Sequence, residues 1–363
     1  ARKIKIKERL KMKKILSLAL VLVMVLSVAA LVGCSGDKKP AGNDAANLKF
    51  GLGVVANYGE AKDADGQTNG QGEINTTAVA VLLDAEGKIV SIDLDTAQIK
   101  TGWTSEGKVV AVEDLRTKYD KGTDYNMATF GKDMDKNGDG KVLEWNEQAD
   151  AFMATAKGKT VAEVKALMAE DGYATGDLAT AGCTIHVTDF VTALEKAVNS
   201  AADSKATAND KLAVALVASN SYSNKDASAE GDGLAQIDTT VAAVVTDAEG
   251  KVVVAKTDCT QGKSTFDVAG KSTLDATVEV KTKLELGTDY GMAAYGTKHD
   301  GSEGAVKEWN EQAAAFDAAL VGKTSADFTA LAGDDGYATG DLATAGCTMA
   351  IGDMIKAATA ATK

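Results

Sequence analysis

Short apolar runs alternate with turn-forming residues along most of the chain. Residues 76–83 (TTAVAVLL) and 88–94 (KIVSIDL) flank the letters DAEG, an arrangement that is typical of a β-hairpin. The same pattern returns at 239–246 and 251–256, again around DAEG. An earlier stretch, Gly51-Leu52-Gly53, is too weak a signal for a nucleotide fingerprint, because alanines replace both glycines later in the chain, and we interpret it as a strand.

Other segments space their apolar residues three and four positions apart. This spacing predicts helices over residues 144–156, 160–169 and 188–199. Thr188 is a suitable N-cap for the third helix, and Gly352, which is also permitted there, stands at the corresponding later position. Strands followed by helices predict an α+β fold, with an antiparallel sheet and helices packed on one side of it.

Longer identities reveal an internal repeat. The words DAEGK, GTDY and EWNEQA each occur twice, and the offset between copies stays between 163 and 165 residues. Each copy therefore has the size of an ordinary domain. We predict two repeated domains, residues 47–198 and 211–363, joined flexibly by the small and polar segment 199–210 (NSAADSKATAND).

A different apolar run stands near the start, where residues 12–34 read MKKILSLALVLVMVLSVAALVGC. Two lysines precede the run and small residues end it, which is the layout of an export signal. The alternative is a transmembrane helix, because about 20 apolar residues span a bilayer. We predict a signal peptide over residues 1–33, with the true start at Met12, followed by a polar tether over 34–46.

The end of this run, Leu31-Val32-Gly33-Cys34, resembles the lipobox of bacterial lipoproteins. The resemblance implies cleavage before Cys34 and attachment of a lipid to its sulfur. Fragments of such signal peptides serve as pheromones in some lipoproteins, a role that these letters do not test.

The net negative charge of the chain argues against anionic partners. The net charge is −13, and without residues 1–33 the chain keeps 31 basic and 51 acidic residues, a net charge of about −20. Such a surface repels nucleic acid and anionic lipid headgroups, so we expect neither as a partner of the folded part.

Cysteines and histidines are few. Beyond Cys34 only Cys183, Cys259 and Cys347 remain, too few and too odd in number for a disulfide scaffold, and the two histidines do not form a zinc motif with them. For Cys259 we expect no role. His186 corresponds to Ala350 in the second copy, and we therefore interpret it as a surface or half-buried residue.

One acidic segment fits the spacing of a calcium-binding loop. The ligand positions of D-x-D-x-N-G-x5-E are taken by Asp133, Asp135, Asn137, Asp139 and Glu144. The second copy reads DGSEG at the corresponding place and has lost these ligands. Calcium in the first domain is thus one interpretation, and a solvated acidic turn is the other.

The strongest candidate for chemistry is a loop of fourteen letters, DGYATGDLATAGCT, which is identical at 171–184 and 335–348. It contains no Ser-His-Asp or Cys-His set. Its final residues, Thr184 and Thr348, each offer a hydroxyl that can carry a phosphoester, and a following helix would present N–H groups to the phosphate. The alternative is that both threonines merely cap or approach a helix.

The letters DLATAGCT, ending at these threonines, resemble the FMN-attachment motif of FMN-binding domains. That motif typically reads Asp, a few residues, then Ser/Thr-Gly-Ala-Thr ahead of a helix. In this chain Cys183 and Cys347 replace its alanine, and Ala181 replaces its Ser or Thr. The resemblance implies that a flavin transferase esterifies the phosphate of FMN to each threonine, so that the chain carries two covalent FMN groups.

The resemblance also assigns roles to other residues of the motif. Asp177 and Asp341 are implied in recognition by the transferase or in its Mg²⁺ geometry, and Gly182 and Gly346 shape the turn beside Cys183 and Cys347. The isoalloxazine ring would lie against Tyr173 and Tyr337, or against Trp145 and Trp309. For the tryptophans, ordinary core packing is an equal alternative.

The whole layout resembles the tandem-domain flavinylated lipoproteins of Gram-positive extracellular electron transfer. It implies a lipid-anchored carrier on the outer face of the cytoplasmic membrane. Its electrons would come from a membrane quinol-linked donor and would go to ferric iron or another extracellular acceptor. The alternative function is a non-redox surface lipoprotein that binds a ligand or a partner protein.

Overall fold

The structure, a computed structural model, describes residues 47–130, 143–300 and 306–363. The predicted signal peptide, Cys34 and the tether up to residue 46 lie outside these ranges, as do Asp133, Asp135, Asn137 and Asp139 of the predicted calcium loop. The described residues form one compact unit. Within the described ranges, no helix combines the length and the apolar character needed to cross a bilayer.

The first repeat builds an antiparallel sheet on three long strands. They are β1 (Lys49–Tyr58), β2 (Gly70–Leu83) and β3 (Ile89–Trp103). Two short edge strands, β4 (Val109–Val110) and β5 (Ala202–Asp203), complete the order β4-β3-β2-β1-β5. The predicted hairpin and the strand at Gly51–Gly53 are both confirmed, although β2 and β3 extend well beyond the predicted ranges.

The second repeat forms a three-stranded antiparallel sheet in the order β6-β7-β8. These strands are β6 (Lys211–Asn220), β7 (Gly233–Thr246) and β8 (Val252–Phe266). Both hairpins turn in the same way. The carboxylate of Asp84 accepts N–H bonds from the next residues, as that of Asp247 does, and each turn contains a glycine at positive φ.

Helices follow the strands in each repeat. In the first they are α1 (Lys118–Lys121), α2 (Met127–Phe130), α3 (Trp145–Ala156), α4 (Val161–Lys165), α5 (Gly176–Thr180) and α6 (Thr188–Asn199). In the second they are α7 (Lys283–Leu286), α8 (Met292–Asp300), α9 (Trp309–Leu320), α10 (Gly340–Thr344) and α11 (Gly352–Ala360). A 3₁₀ helix at Gly122–Tyr125 recurs at Gly287–Tyr290, and another spans Ser325–Leu331.

Two of the three predicted helices are confirmed as α3 and α6. The prediction for 160–169 is wrong beyond Lys165, because the loop that follows takes over the backbone groups: the carbonyl of Leu167 accepts from Thr175 N, and Ala169 N donates to the carbonyl of Tyr173. Thr188 is not the N-cap of α6. It is the first helical residue, and Val187 holds the cap position without a side-chain hydrogen bond.

The two sheets pack face to face. Along β2, Ala78, Ala80 and Leu82 join a core shared with the second sheet, whereas the alternate residues Val79 and Val81 pack against helices α3 and α6. Strand β7 alternates in the same way between the shared core and helices α9 and α11. The unit therefore has four layers, with helices outside and two sheets inside.

Residues 199–210 do not act as a free linker. Their strand β5 pairs with β1, and Ala206 is fully buried in the shared core, where its carbonyl accepts from Leu48 N at 2.8 Å. The prediction of flexibly joined repeats is thus wrong. The sheets bury too much apolar surface between them to separate, and the chain between them is fixed along the same interface.

Polar and aromatic contacts also cross the interface between the sheets. The hydroxyls of Thr76 and Thr260 lie 3.0 Å apart. Trp103 stacks on Phe266 with ring centroids 4.8 Å apart, and its Nε1–H donates to the carbonyl of Gly270 at 2.9 Å. Since these side chains are buried, the contacts fix the register of one sheet on the other.

Glycine at two positions of β1 lets a helix approach closely. A Cβ at Gly51 or Gly53 would lie 2.0 Å from a carbonyl oxygen of Ala197 or Ala193 on α6. The weak glycine signal in the sequence thus reflects strand–helix packing rather than a phosphate-binding turn.

Candidate functional site

The identical loops fold in the same way in both repeats. Each contains a short helix, α5 or α10, whose buried leucine anchors it to the core. After this helix the chain turns back, and the N–H of Cys183 donates to the carbonyl of Leu178 at 3.0 Å, as Cys347 does to Leu342 at 3.2 Å. The loop is therefore held by its own backbone up to the residue before the threonine.

The turn before the threonine needs glycine, as expected. Gly182 has φ +102° and Gly346 has φ +95°, a region that favours glycine. A Cβ at Gly182 would lie 2.8 Å from Leu143 Cδ1, and a Cβ at Gly346 would lie 2.6 Å from Lys307 Cε. A neighbouring side chain thus covers the turn in each repeat, but it is a different residue in the two repeats.

The cysteines of the loop point into the core. Cys183 and Cys347 are fully buried among apolar side chains. Burial raises the pKa of the Cys183 thiol to about 12 and also raises that of Cys347. Neither side chain is available to a bound group, so these two predicted cofactor-binding residues serve packing. Cys259 is also buried, and burial raises its pKa to about 11.

A buried glutamine holds each threonine by its backbone. Thr184 N donates to Gln148 Oε1 at 2.9 Å, and Thr348 N donates to Gln312 Oε1 at 2.8 Å. The same carboxamides donate from Nε2 to the carbonyls of Leu143, at 2.9 Å, and Lys307, at 2.8 Å. Because both glutamines are almost completely buried, each threonine is fixed relative to the helix that carries the glutamine.

The threonine side chains differ in exposure. Thr184 is half-buried, and its hydroxyl donates to Gln148 Oε1 at 3.3 Å. Thr348 is exposed, and Gln312 Oε1 instead accepts a second bond from Met349 N at 3.1 Å. The second hydroxyl is therefore the more open of the two.

The helix after the loop does not begin at the threonine. Three residues separate Thr184 from α6, and three separate Thr348 from α11. The threonine is therefore not the residue that begins the helix, and contact of a phosphate with the first N–H groups of that helix stays a prediction. The N–H of the threonine itself is already bonded to the glutamine.

The first residue of the repeated sequence EWNEQ is a glutamate that binds backbone N–H groups in both repeats. The Glu144 carboxylate caps α3 and accepts from Met127 N at 2.9 Å, and Glu308 caps α9 and accepts from Met292 N at 2.9 Å. Glu144 thus binds backbone N–H groups, and the other four predicted calcium ligands lie outside the described residues. Among the described residues, no group of three or more His, Cys, Asp or Glu is arranged to hold a metal ion.

The tryptophans of this word lie in the core. Trp145 and Trp309 are buried, which agrees with the core-packing alternative. A lysine that the sequence analysis missed lies over each of them. Lys118 Nζ is 4.9 Å from the centre of the Tyr125 ring and 5.4 Å from that of Trp145.

The second repeat reproduces this cluster. Lys283 Nζ lies 4.8 Å from the ring centre of Tyr290 and 5.4 Å from that of Trp309. Burial lowers the pKa of Lys118 to about 8, although Glu73 and Asp189 oppose the shift. Aromatic faces attract a cation that has lost part of its water. The signal in the sequence was a lysine four residues before each GTDY word.

An unpartnered acceptor lies at the same place in both repeats. The Oδ1 atoms of Asn146 and Asn310 are buried and accept no hydrogen bond from the residues that the structure describes. A buried acceptor without a donor costs about 1–3 kcal/mol. Buried acceptors of this kind usually bond to a water molecule or to another bound group.

A cleft of about 590 Å³ opens beside Tyr125. Its lining includes Gln98 and Lys100 from β3 and Val112 from the following segment. The Tyr125 hydroxyl donates to Gln98 Oε1 at 2.8 Å, which fixes the ring at the edge of the cleft.

The remaining predicted residues lie at the surface of the loop. Asp177 and Asp341 are exposed in the first turns of α5 and α10. Tyr337 is 51% exposed, and Tyr173 is half-buried with its ring edge against His186, the two ring centroids 5.4 Å apart. His186 is exposed, in agreement with its interpretation as a surface residue.

Comparisons with known proteins identify no family for this chain. No protein-family profile matches the chain, and no solved structure matches it. Part of the chain is similar to a protein from Desulfitobacterium hafniense named chlorophenol reductase, with 32% identity over 131 residues. That similarity covers 33% of this chain and 38% of the relative's length.

Proposed function

We propose that the protein is an extracytoplasmic, lipid-anchored electron carrier with two covalent FMN groups, one esterified to Thr184 and one to Thr348. Each repeat acts as one flavin-carrying domain, and Cys34 carries the lipid. Electrons come from a membrane quinol-linked donor and go to an extracellular acceptor such as ferric iron.

The observation that carries this proposal is the matched fixation of the two threonines. In both repeats a buried glutamine binds the threonine backbone, within 0.1 Å of the same distance. The turn before it needs glycine, and the residues around it are identical over fourteen positions. A loop that only connects two elements tolerates change, so this degree of constraint supports a residue that another enzyme must recognise.

Residues on or beside helices α3 and α9, the helices that bind the threonines through their glutamines, are compatible with a flavin. The buried Asn146 and Asn310 oxygens have no donor among the described residues, and under this proposal an N–H group of the flavin donates to them. Lys118 and Lys283 place a cation beside aromatic rings, and in the first repeat the cleft at Tyr125 adjoins this cluster. Bound FMN supplies the redox chemistry, and the protein sets its exposure and the charge around it.

Attachment requires an activated donor, because esterification by free FMN would have to expel hydroxide. With FAD, the threonine Oγ forms a bond to the phosphorus on the riboflavin side, and the bond from that phosphorus to the oxygen of AMP breaks. The hydroxyl proton is released, AMP leaves, and no electrons are transferred. The exposed Asp177 and Asp341 are accessible to the transferase and its Mg²⁺.

The net negative charge of the folded part is compatible with a protein that stays in solution outside the cell. The fixed packing of the two sheets gives both flavins a constant environment. Each flavin then exchanges electrons with external partners through the loop at its own face of the unit.

The intact mass of the chain, expressed with and without a flavin transferase, tests the proposal. We expect two FMN-sized increments, one lost with Thr184→Ala and the other with Thr348→Ala. Thr180→Ala and Thr344→Ala are matched controls, because these threonines lie in the same loops and bond only to the carbonyls of Gly176 and Gly340.

No increment under conditions that modify a control substrate would contradict the proposal and favour a non-redox lipoprotein that binds a ligand or partner. A second result would contradict the role in electron transfer alone. This result is a double variant, Thr184→Ala with Thr348→Ala, that reduces acceptors as fast as the parent protein.

A further inference from the structure

The two attachment loops share their letters but not their covering residue. Position 143 in the first repeat and position 307 in the second both lie over the glycine turn. In each case one glutamine carboxamide bonds to the carbonyl of this residue and to the N–H of the threonine. The backbones of the covering residue and of the threonine are therefore both hydrogen-bonded to the same glutamine side chain.

The side chains at this position differ in charge. Leu143 places a methyl group against Gly182. Lys307 lies across Gly346 and donates from Nζ to the carbonyl of Ala345 at 2.9 Å. Lys307 is exposed, and it forms no salt bridge with an acidic residue of the described ranges.

An ammonium has three N–H donors, and the loop carbonyl uses one of them. Two remain for an anion at the surface of the loop. Lysine is a common point-charge ligand of phosphate. The first repeat has no cation at this position, and its threonine hydroxyl is also less exposed.

We propose that Lys307 is a phosphate-positioning residue that makes Thr348 the preferred site of FMN attachment, and that Leu143 leaves Thr184 as the slower site. This preference rests on the proposed attachment of FMN. Lys307 binds the phosphate on the riboflavin side of FAD as the Thr348 oxygen attacks it and AMP leaves, and it then neutralises the single negative charge of the phosphodiester.

A time course of intact mass tests the preference. The full chain with Thr184→Ala or with Thr348→Ala is incubated with a bacterial flavin transferase, FAD and Mg²⁺, so that each remaining threonine is followed alone. We expect Thr348 to gain FMN about three to five times faster than Thr184, the size of effect given by an exposed ion pair. The ratio should fall as salt is raised, because salt screens such a pair.

Reciprocal variants identify the residue responsible. Lys307→Met should slow modification of Thr348 by about the same three- to fivefold factor, and Leu143→Lys should accelerate modification of Thr184. Lys307→Arg should keep the parent rate. Lys251→Met, an exposed lysine in the β7–β8 hairpin, is the matched control for net charge and should change neither rate.

The outcomes separate the two proposals. Equal rates at the two threonines, or an unchanged Thr348 rate in Lys307→Met, would overturn the role of Lys307 and leave the two-flavin carrier intact. Absence of FMN from both threonines would overturn both proposals. Circular dichroism of each variant shows that any loss of rate does not come from loss of folding.

Discussion

The two repeats have the same buried contacts around the loop but differ in the residue that covers its glycine turn. The bonds from Thr184 to Gln148 and from Thr348 to Gln312 differ by 0.1 Å, and each lysine lies at the same distance from its tryptophan. The residue above the glycine turn, in contrast, is apolar in one repeat and charged in the other. The buried support of the loop is thus repeated, whereas its electrostatic surroundings are not.

A second difference concerns the interface between the sheets. Trp103 in the first repeat corresponds to Phe266 in the second, and the two rings stack on each other. Only the tryptophan also donates a hydrogen bond to the other repeat, at Gly270. The repeats are therefore not interchangeable halves, because each one completes the core of the other.

The largest expected effect comes from separating the repeats. Residues 47–203 or 204–363 expressed alone would expose the inner face of one sheet, whose apolar residues make up half of the shared core. We expect neither piece to be a folded monomer, because a single sheet with one uncovered apolar face associates or unfolds. Size-exclusion chromatography and circular dichroism check this.

A folded, monomeric single repeat would contradict the shared core and restore the interpretation of two independent domains. Mixing the two pieces is the matched control. If the interface is correct, the mixture should form a complex with the mass of one complete unit.

Trp103→Ala should lower the free energy of unfolding by about 3–5 kcal/mol, because it leaves a cavity at the interface and removes one of the two hydrogen bonds that the Gly270 carbonyl accepts. Trp103→Phe keeps the stacking and should cost only about 0.5–1.5 kcal/mol, the contribution of one hydrogen bond. Chemical denaturation measures both. A cost of Trp103→Ala no larger than that of Trp103→Phe would contradict the interfacial role.

Local signals in the sequence predicted the elements, but not this interface. The hairpin turn and helix α3 are specified by neighbouring residues, namely the aspartate and glycine of DAEG and the capping box of EWNEQ. The continuous apolar run at 76–83 predicts one strand of a hairpin, in a sheet with helices packed on one face. Burial of Ala78 and Val79 on opposite faces shows that both faces of β2 are covered.

The candidate site was predicted in part. The identical letters mark the threonines, the glycine turns and the surface aspartates, which lie in one loop of each repeat; their role in FMN attachment stays a prediction. Gln148, Lys118 and Asn146 were missed as participants. Gln148 and Lys118 contact residues distant in the sequence, Thr184 and Trp145 respectively, and Asn146 is distinguished only by an acceptor without a partner, so no local pattern reveals them.

The buried aspartates that anchor helices α1 and α7 should make stability depend on pH. Burial raises the pKa of Asp95 to about 7, although Thr117 and two backbone N–H groups donate to its carboxylate. Asp258 is its counterpart, and burial raises its pKa to about 6. The folded state binds the extra protons, so this stability is fully present below about pH 4 and is lost as pH rises through these values.

We therefore expect the free energy of unfolding of the parent protein to fall by about 2–4 kcal/mol per group from pH 4 to pH 8. Asp95→Asn should remove the part that develops between about pH 4 and pH 7, and Asp258→Asn the part between about pH 4 and pH 6. Asp317, whose pKa burial also raises to about 7, leaves a residual slope. An unchanged pH profile in both variants would contradict the assignment.

Gln148→Leu and Gln312→Leu test whether the loops are equally supported. Each removes the bonds to a threonine N–H and to a carbonyl, together with two weaker or additional ones, so each should cost about 1–3 kcal/mol and slow FMN attachment at its own loop only. Gln67→Leu, at an exposed position, is the control. Thermal unfolding and intact mass measure the effects. Loss of FMN from the other loop would show coupling that the separate helix layers do not predict.

The smallest expected effect comes from the N-terminal caps of helices α3 and α9, which allow a direct comparison of the two repeats. Glu147 accepts from Glu144 N at 2.8 Å, and Glu311 accepts from Glu308 N at 3.0 Å, in matching capping boxes. Replacing either by alanine should cost about 0.5–1 kcal/mol, and the two costs should agree within the error of chemical denaturation. Clearly unequal changes in the free energy of unfolding would show that the repeats differ in the helix that supports the loop, as well as in the residue that covers its glycine turn. Equal costs, together with unequal rates of attachment, would locate the difference between the repeats in Lys307 and Leu143.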